Sequence, residues 1–208
     1  EADAANLKIR NTNGTYSYFT AGDIHFQDNG DGTIDENDKQ VIGNPNPKLY
    51  GTLSSNIFYD KFTVNAIFTY SYGNDVYNYY RRELESGSNF YNQTTALLNR
   101  WTAEGQITNQ PKAAFGDPMG NARFSNRWIE DGSYLRLKSL TLSYKLPIKS
   151  NYIEGVDIWL SANNLLTLTK YLGLDPEFSA GNSVYYQGID TGLIPQTKSY
   201  YIGVKFNL

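Results

Sequence analysis

Oxygen-bearing side chains crowd one short stretch of this sequence, from Gln27 through Asp28, Asn29, Gly30, Asp31 and Gly32 to Asp38. Calcium loops supply oxygen ligands at positions 1, 3, 5, 7, 9 and 12, with glycine at position 6. With Gly32 at position 6, the ligand positions take Asn29, Asp31, the Thr33 carbonyl, Asp35 and Asp38. Two departures stand out. Gln27 occupies the first position with Asp28 one place late, and the closing residue is Asp38 rather than a longer glutamate. Two readings stay open: one structural Ca2+ pinning the loop, or a loop held by Asx-type hydrogen bonds alone.

Catalysis has little to work with. His25 is the sole histidine, and no nucleophile pattern surrounds it. Asp175-Pro176-Glu177 offers two carboxylates, but the proline fixes a turn and no partner is evident along the chain. They read as solvated loop charge. No glycine-rich phosphate loop precedes a helix, and no cysteine supplies a thiolate. The chain reads as no enzyme. Rings are plentiful instead, and Tyr77, Tyr79, Tyr80, Tyr91 and Trp101, with Phe90 beside them, are the candidate contacts to ligand or partner. Aromatic faces stack on sugars or bury against protein. The plainer reading has this segment packing on itself.

The elements that must carry these residues are strands. Phe62, Val64, Ala66, Phe68, Tyr70 and Tyr72 alternate with Thr63, Asn65, Ile67, Thr69 and Ser71, the period of two that marks a strand. Leu53 to Tyr59 alternates too, and Asp60-Lys61 makes a two-residue hairpin between the runs. Alternation resumes at Ser133 and changes phase around Lys138-Ser139, which predicts either a bulge or the point where the strand enters the membrane. Another run carries Val156, Ile158, Leu160 and Ala162 on one face. The last, Thr197 to Leu208, puts Tyr200, Ile202, Val204, Phe206 and Leu208 on one side, the side an assembly signal would use. A short helix is expected near Thr94–Trp101.

Connections between these runs alternate short (Asp60-Lys61), long (73–132), short (148–155) and long (171–195). That is the habit of a membrane barrel, with brief turns at one end and long loops at the other. Apolar faces that carry Tyr59, Tyr70, Tyr72, Tyr144 and Tyr200 near strand ends suit aromatic girdles. Five strands cannot close a barrel, because the smallest have about eight, so further strands must come from elsewhere. The expected fold is all-β: about five C-terminal strands of a large antiparallel transmembrane barrel with long extracellular loops. Residues 1–46 are read as a loop region holding the acidic segment, and 47–208 as the strands and their connections. The competing reading is a soluble calcium-dependent carbohydrate-binding β module.

Bulk composition excludes other classes. A net charge of −3 and pI near 5.2 argue against a nucleic-acid binder, which shows a basic patch. No apolar run reaches the ~18 residues of a membrane helix. Eighteen tyrosines favour surfaces with one apolar and one wet side.

Longer motifs point to one family. Gly22-Asp23-Ile24 through Asp38, Val41-Ile42-Gly43-Asn44-Pro45-Asn46-Pro47 and Gly73-Asn74-Asp75-Val76-Tyr77-Asn78 occur in that order. Asp131-Gly132-Ser133-Tyr134-Leu135-Arg136-Leu137-Lys138, Asn163-Asn164-Leu165-Leu166, Thr169-Lys170-Tyr171, Gly173-Leu174-Asp175-Pro176-Glu177 and Ile194-Pro195-Gln196 follow. In order and spacing the chain resembles the C-terminal part of the SusC/RagA-type TonB-dependent outer-membrane transporters. The family pattern places Asp where Gln27 stands and ends on an aromatic where Leu208 stands. The resemblance implies a 22-stranded barrel around an N-terminal plug, in the outer membrane of a Gram-negative, Bacteroidetes-type bacterium, with the C-terminus periplasmic. It implies import of oligosaccharides or peptides, a SusD-like lipoprotein over the outer face, and energy relayed by TonB through parts absent here.

Overall fold

The structure, a computed structural model, describes residues 6–148, 153–178 and 183–207; Leu208 and part of the 148–155 connection lie outside them. In chain order the elements are β1 (Lys8–Arg10), β2 (Tyr16–Tyr18), β3 (Thr33–Ile34), β4 (Leu49–Tyr59), β5 (Phe62–Tyr72) and β6 (Asp75–Asn78). Helix α1 (Tyr79–Glu85) precedes β7 (Ile129–Asp131), β8 (Tyr134–Leu146), β9 (Gly155–Thr169), β10 (Ile189–Asp190) and β11 (Ser199–Asn207). Contacts divide the chain into two units: Glu1–Ile42 with Asn78–Trp128, and Gly43–Tyr77 with Ile129–Leu208. This differs from the division at residue 46. The long segment 78–128 packs with the N-terminal region and leaves the strands on their own.

The second unit is dominated by an antiparallel five-stranded sheet in the order β11-β9-β8-β5-β4. Its hairpin closes as the sequence predicts, with Tyr59 opposite Phe62 and Asp60 between them at a φ of 50°, a region Asp tolerates better than most residues. Register makes the faces continuous. Ile57, Val64, Leu142, Leu160 and Ile202 form one row across all five strands. Leu53, Phe68, Leu137 and Leu166 form another. The opposite face takes Asn56, Asn65, Thr141, Ser161 and Tyr201 in one row. One side is therefore apolar and the other largely polar. Nothing described in this unit covers the apolar side: Leu53 is 63% exposed, Leu166 52%, Ile202 77% and Phe206 60%.

Aromatic side chains close over glycines within the sheet. On β11, a Cβ at Gly203 would meet Trp159 Nε1 at 2.7 Å, and one at Gly51 would meet the Tyr70 hydroxyl at 2.9 Å. Both glycines leave room for a ring on the neighbouring strand, which a methyl group would fill. A smaller sheet, β10-β6-β7, lies in the same unit.

The first unit is more ordered than a loop region. Strands β2-β1-β3 form a small sheet, and Leu7, Ile9, Phe19, Ile34 and Met119 bury a core beneath it. Asp23 ties the early chain to residues far along it. Its carboxylate accepts from Thr20 N, from Lys112 Nζ at 2.9 Å and from Asn121 Nδ2 at 2.9 Å. Helix α1 is short and was not legible in the sequence; Asn78 Oδ1 caps it by accepting from Arg81 N at 2.8 Å. The helix expected near Thr94–Trp101 is a 3-10 turn, Thr95–Asn99.

Candidate functional site

The phase break at Lys138 has a chemical consequence. Against β5, Phe68 pairs with Leu137 and Ile67 with Ser139, so Lys138 is an extra residue in β8. Against β9, Leu137 pairs with Leu166 and Ser139 with Asn163, with Asn164 in the left-handed region at φ 52°. A bulge of this kind re-aims side chains. Here it brings Lys138 to Glu177, one of the two carboxylates that Arg136 reaches.

Those carboxylates are Asp175 and Glu177. Arg136 is 2% exposed, and its Nη2 pairs with Asp175 Oδ1. Glu177 accepts from Lys138 at 3.1 Å and lies 3.1 Å from Arg136 Nη1. Asp175 also accepts backbone N–H bonds from Glu177 at 2.9 Å and Gln196 at 2.8 Å. One buried carboxylate thus ties two separate loop segments to the wall of β8. The reading of Asp175 and Glu177 as solvated loop charge is corrected: their partners lie 39 residues away in sequence, where no local motif reveals them. A bare buried Arg136 would be costly, and the two carboxylates supply its compensation.

Two further acids anchor the same end. Asp190 accepts from the Tyr171 hydroxyl at 2.5 Å, and Tyr171 is buried. Asp75 accepts from Asn44 N at 2.8 Å. Asp75 joins one family-like motif to another and Asp190 holds the tyrosine of a third, which gives these polar residues a structural role across the chain.

The acidic loop, in the first unit, resolves as a hydrogen-bonded loop. Asn29 Oδ1 accepts from Asp31 N, Asp31 Oδ1 from Thr33 N and Asp35 Oδ1 from Asn37 N. Asp38, the residue that would grip a cation with both oxygens, accepts from Asn29 N through Oδ1 and from Asp35 N through Oδ2. Asp28 accepts from Gly30 N and Gly32 N. Gln27, at the first ligand position, accepts from Gln40 Nε2 at 2.7 Å. Among the described residues no three His, Asp or Glu side chains group as metal ligands. Each Asp38 oxygen accepts one N–H and keeps a second acceptor site, so the same donor set serves the Asx reading and the calcium reading alike.

The five candidate aromatics fall on different elements. Tyr77 lies on β6, where its N–H donates to Gly188 O at 2.7 Å. Tyr79 and Tyr80 open α1, and the Arg82 guanidinium lies 5.4 Å from the Tyr79 ring. Trp101 packs on the turn at Gly22, where a Cβ would meet its ring at 2.6 Å. Tyr91 is exposed, close in sequence to Phe90, whose ring stacks on Phe115 at 5.2 Å. Of the proposed assembly residues, Tyr200, Ile202, Val204 and Phe206 share the exposed apolar face of β11, while Leu208 lies outside the described residues.

Comparison with known proteins agrees with this geometry. No family model matches the chain. It is 31% identical over 88% of its length to TonB-dependent receptor P3 of Formosa agariphila, and 28% identical over 85% to TonB-dependent receptor SusC of Bacteroides thetaiotaomicron. Among solved structures it is similar to the RagAB peptide importer in a closed-closed state, with a TM-score of 0.70 and 30% identity over 86% of the chain. A second RagAB peptide transporter structure aligns at TM-score 0.66 and 33% identity over 78%. The chain spans about a fifth of the relatives it matches, 18% of the Formosa receptor and 17% of SusC. On shared sequence, shared strand architecture and the motifs that lock it, the chain belongs to the SusC/RagA-type TonB-dependent transporters and corresponds to a C-terminal part of one.

Proposed function

We propose that the five-stranded sheet is a stretch of outer-membrane barrel wall, its apolar face toward lipid and its polar face toward the lumen. The observation that carries this is the continuous, exposed apolar face built from all five strands. In water such a face is expensive, at roughly 1.5–3 kcal/mol per large apolar side chain left unburied. In hydrocarbon it is at home, provided every backbone group is paired, which a closed barrel ensures. Dimensions agree. From Phe62 to Tyr72 the strand runs about 33 Å at roughly 3.3 Å per residue, or about 25 Å along the membrane normal at a tilt of about 40°, the height of a barrel's apolar band. Rings mark both ends: Tyr59, Phe62, Tyr144 and Phe206 at one, Tyr70, Tyr72 and Tyr200 at the other. The Phe62 and Tyr144 rings meet at 4.7 Å.

On this reading the whole protein imports nutrients, either oligosaccharides or peptides, into a Bacteroidetes-type bacterium, and the chain is no enzyme. The Asp60-Lys61 end and the C-terminus face the periplasm, and the anchored loops face outward, where a SusD-like lipoprotein would cap them. TonB would act through parts of the protein beyond this chain. A soluble carbohydrate-binding module would have to leave the apolar face in water. The test is a pair of substitutions on one strand in the full-length protein. Leu166→Lys places a charge on the lipid face near mid-membrane, at a cost of about 2–4 kcal/mol, and should abolish outer-membrane assembly. Ser161→Lys, on the opposite face of the same strand and paired only with neutral Thr141 and Tyr201, should assemble as wild type. Equal assembly of the two variants would refute the face assignment.

A further inference from the structure

A cleft of about 500 Å³ opens at the loop-bearing end of the polar face, lined in part by Tyr50, Ser71, Asn74, Tyr134, Glu177 and Phe178. We propose that this cleft is a binding subsite for a neutral sugar ring. The inference rests on the reading above that this face lines the lumen.

Register gives the cleft its shape. Tyr50 pairs with Ser71 on one side, and Tyr134 pairs with Ser71 on the other. Two tyrosines therefore flank a serine in one row. Two strand spacings separate their backbones by about 10 Å, and a ring seated over Ser71 needs about 4 Å of contact distance on each side. The volume is within the ordinary range for small-ligand clefts.

The lining is built to stay put. Arg136 holds the Tyr134 ring from 5.9 Å, and the Phe178 ring packs 6.3 Å from buried Tyr171, which Asp190 fixes. Asn74 is held by the Ser71 hydroxyl at 2.8 Å.

Charge and backbone select the ligand class. Glu177 is the acid in the lining, and Lys138 and Arg136 already compensate it. The cleft thus offers no unbalanced charge to an ionic ligand. Ser71 lies on β5, which is paired on both sides by β4 and β8, so its ladder has no backbone groups left for an added peptide strand. What remains is aromatic surface with neutral hydroxyl and amide groups. A sugar ring matches that combination, with its C–H face against the rings and its hydroxyls toward the amides.

The experiment uses the full-length protein in detergent and an equimolar mixture of maltotetraose, cellotetraose, laminaritetraose and mannotetraose, read by saturation-transfer NMR. At least one sugar should receive saturation. Tyr50→Ala and Phe178→Ala should each weaken its binding about tenfold, Tyr50→Phe should retain it, and Tyr59→Ala on the opposite face should leave it unchanged. Outer-membrane fractionation of every variant checks assembly. No signal from any of the four sugars, or a signal that survives the Tyr50→Ala/Phe178→Ala double variant, overturns the proposal. So does tetra-alanine binding that the same two variants abolish, since the cleft would then be a peptide site. Wild-type protein that inserts in the outer membrane without binding sugar sinks only this inference. Wild-type protein absent from the outer membrane sinks the wall assignment as well.

Discussion

Replacing Asp175 with alanine removes the centre of the loop anchor, and the structure sets the size of the effect. Asp175 accepts two backbone N–H bonds, from Glu177 and Gln196, and balances the charge of Arg136. Orphaning a buried ion-pair partner costs about 3–5 kcal/mol. Glu177 and its 3.1 Å approach to Arg136 Nη1 remain, which favours the lower end, about 3 kcal/mol. The sheet is not expected to melt, because its ladders do not pass through Asp175. The loss is local: the loop segments should open without the wall. Hydrogen exchange on the full-length protein in detergent measures this directly. At about 1.4 kcal/mol per tenfold, amide exchange in the segment containing Gln196 should accelerate roughly a hundredfold or more, while β8 and β9 stay protected. Adding Arg136→Met to Asp175→Leu removes the stranded charge and should recover part of the protection, though the two N–H donors stay unpartnered. Exchange at Gln196 within about threefold of wild type in Asp175→Ala would refute the anchor.

Three other outcomes follow from separate features. Gly203→Ala forces a methyl group into the Trp159 ring and should destabilise or slow barrel assembly by about 1–3 kcal/mol; Gly155→Ala, whose nearest contact is 3.7 Å, should be silent in the same heat-modifiability gel assay. Burial alone would raise the Asp23 pKa, but hydrogen bonds from Asn121, Lys112 and Thr20 and the Lys112 charge hold it below 3.8. Its stabilisation is therefore complete above the unfolded value and fades as pH falls through the depressed folded one, so exchange around Thr20–Ile24 should rise below about pH 4 and Asp23→Asn should flatten that dependence. Asp38→Ala removes two backbone caps from the acidic loop and should cost about 1–2 kcal/mol locally. EDTA should leave that loop's exchange unchanged, whereas a calcium-dependent slowing in the wild type would show that the cation reading is right.

Which parts of this were legible in the sequence follows from the range of the interactions. The hairpin at Asp60-Lys61 was legible because turn and alternation are local, and the register that forms, Tyr59 with Phe62, is the one those residues dictate. The bulge was legible for the same reason, as a break in the period of two at Lys138-Ser139. The core of the first unit was not. Met119 joins Leu7, Ile9, Phe19 and Ile34 across a hundred residues of chain, and Asp23 meets Asn121 across 98. Nothing periodic announces such contacts, so a segment with its own sheet and core looked like loop. The acidic loop is a different case. Its oxygens are spaced for a cation, yet the same spacing lets each side chain cap an N–H two residues on, and sequence alone does not choose between them.

The bulge and the anchor are best understood together. Regular alternation would suffice for a plain wall, with apolar residues outward and small polar ones inward. Leu135 and Leu137 keep that pattern on one side of Lys138, and Leu140 and Leu142 keep it on the other, in the opposite parity. The extra residue leaves both runs of leucine on the apolar face and adds a second cation, Lys138, beside Glu177. Arg136 and Lys138 then meet Asp175 and Glu177, whose own spacing of two is set by the intervening proline. A strand without the bulge would have to choose between its apolar face and this second ion pair. The irregularity lets one strand keep a continuous apolar face and serve as the post to which the loop segments at Asp175–Glu177 and Gln196 are tied.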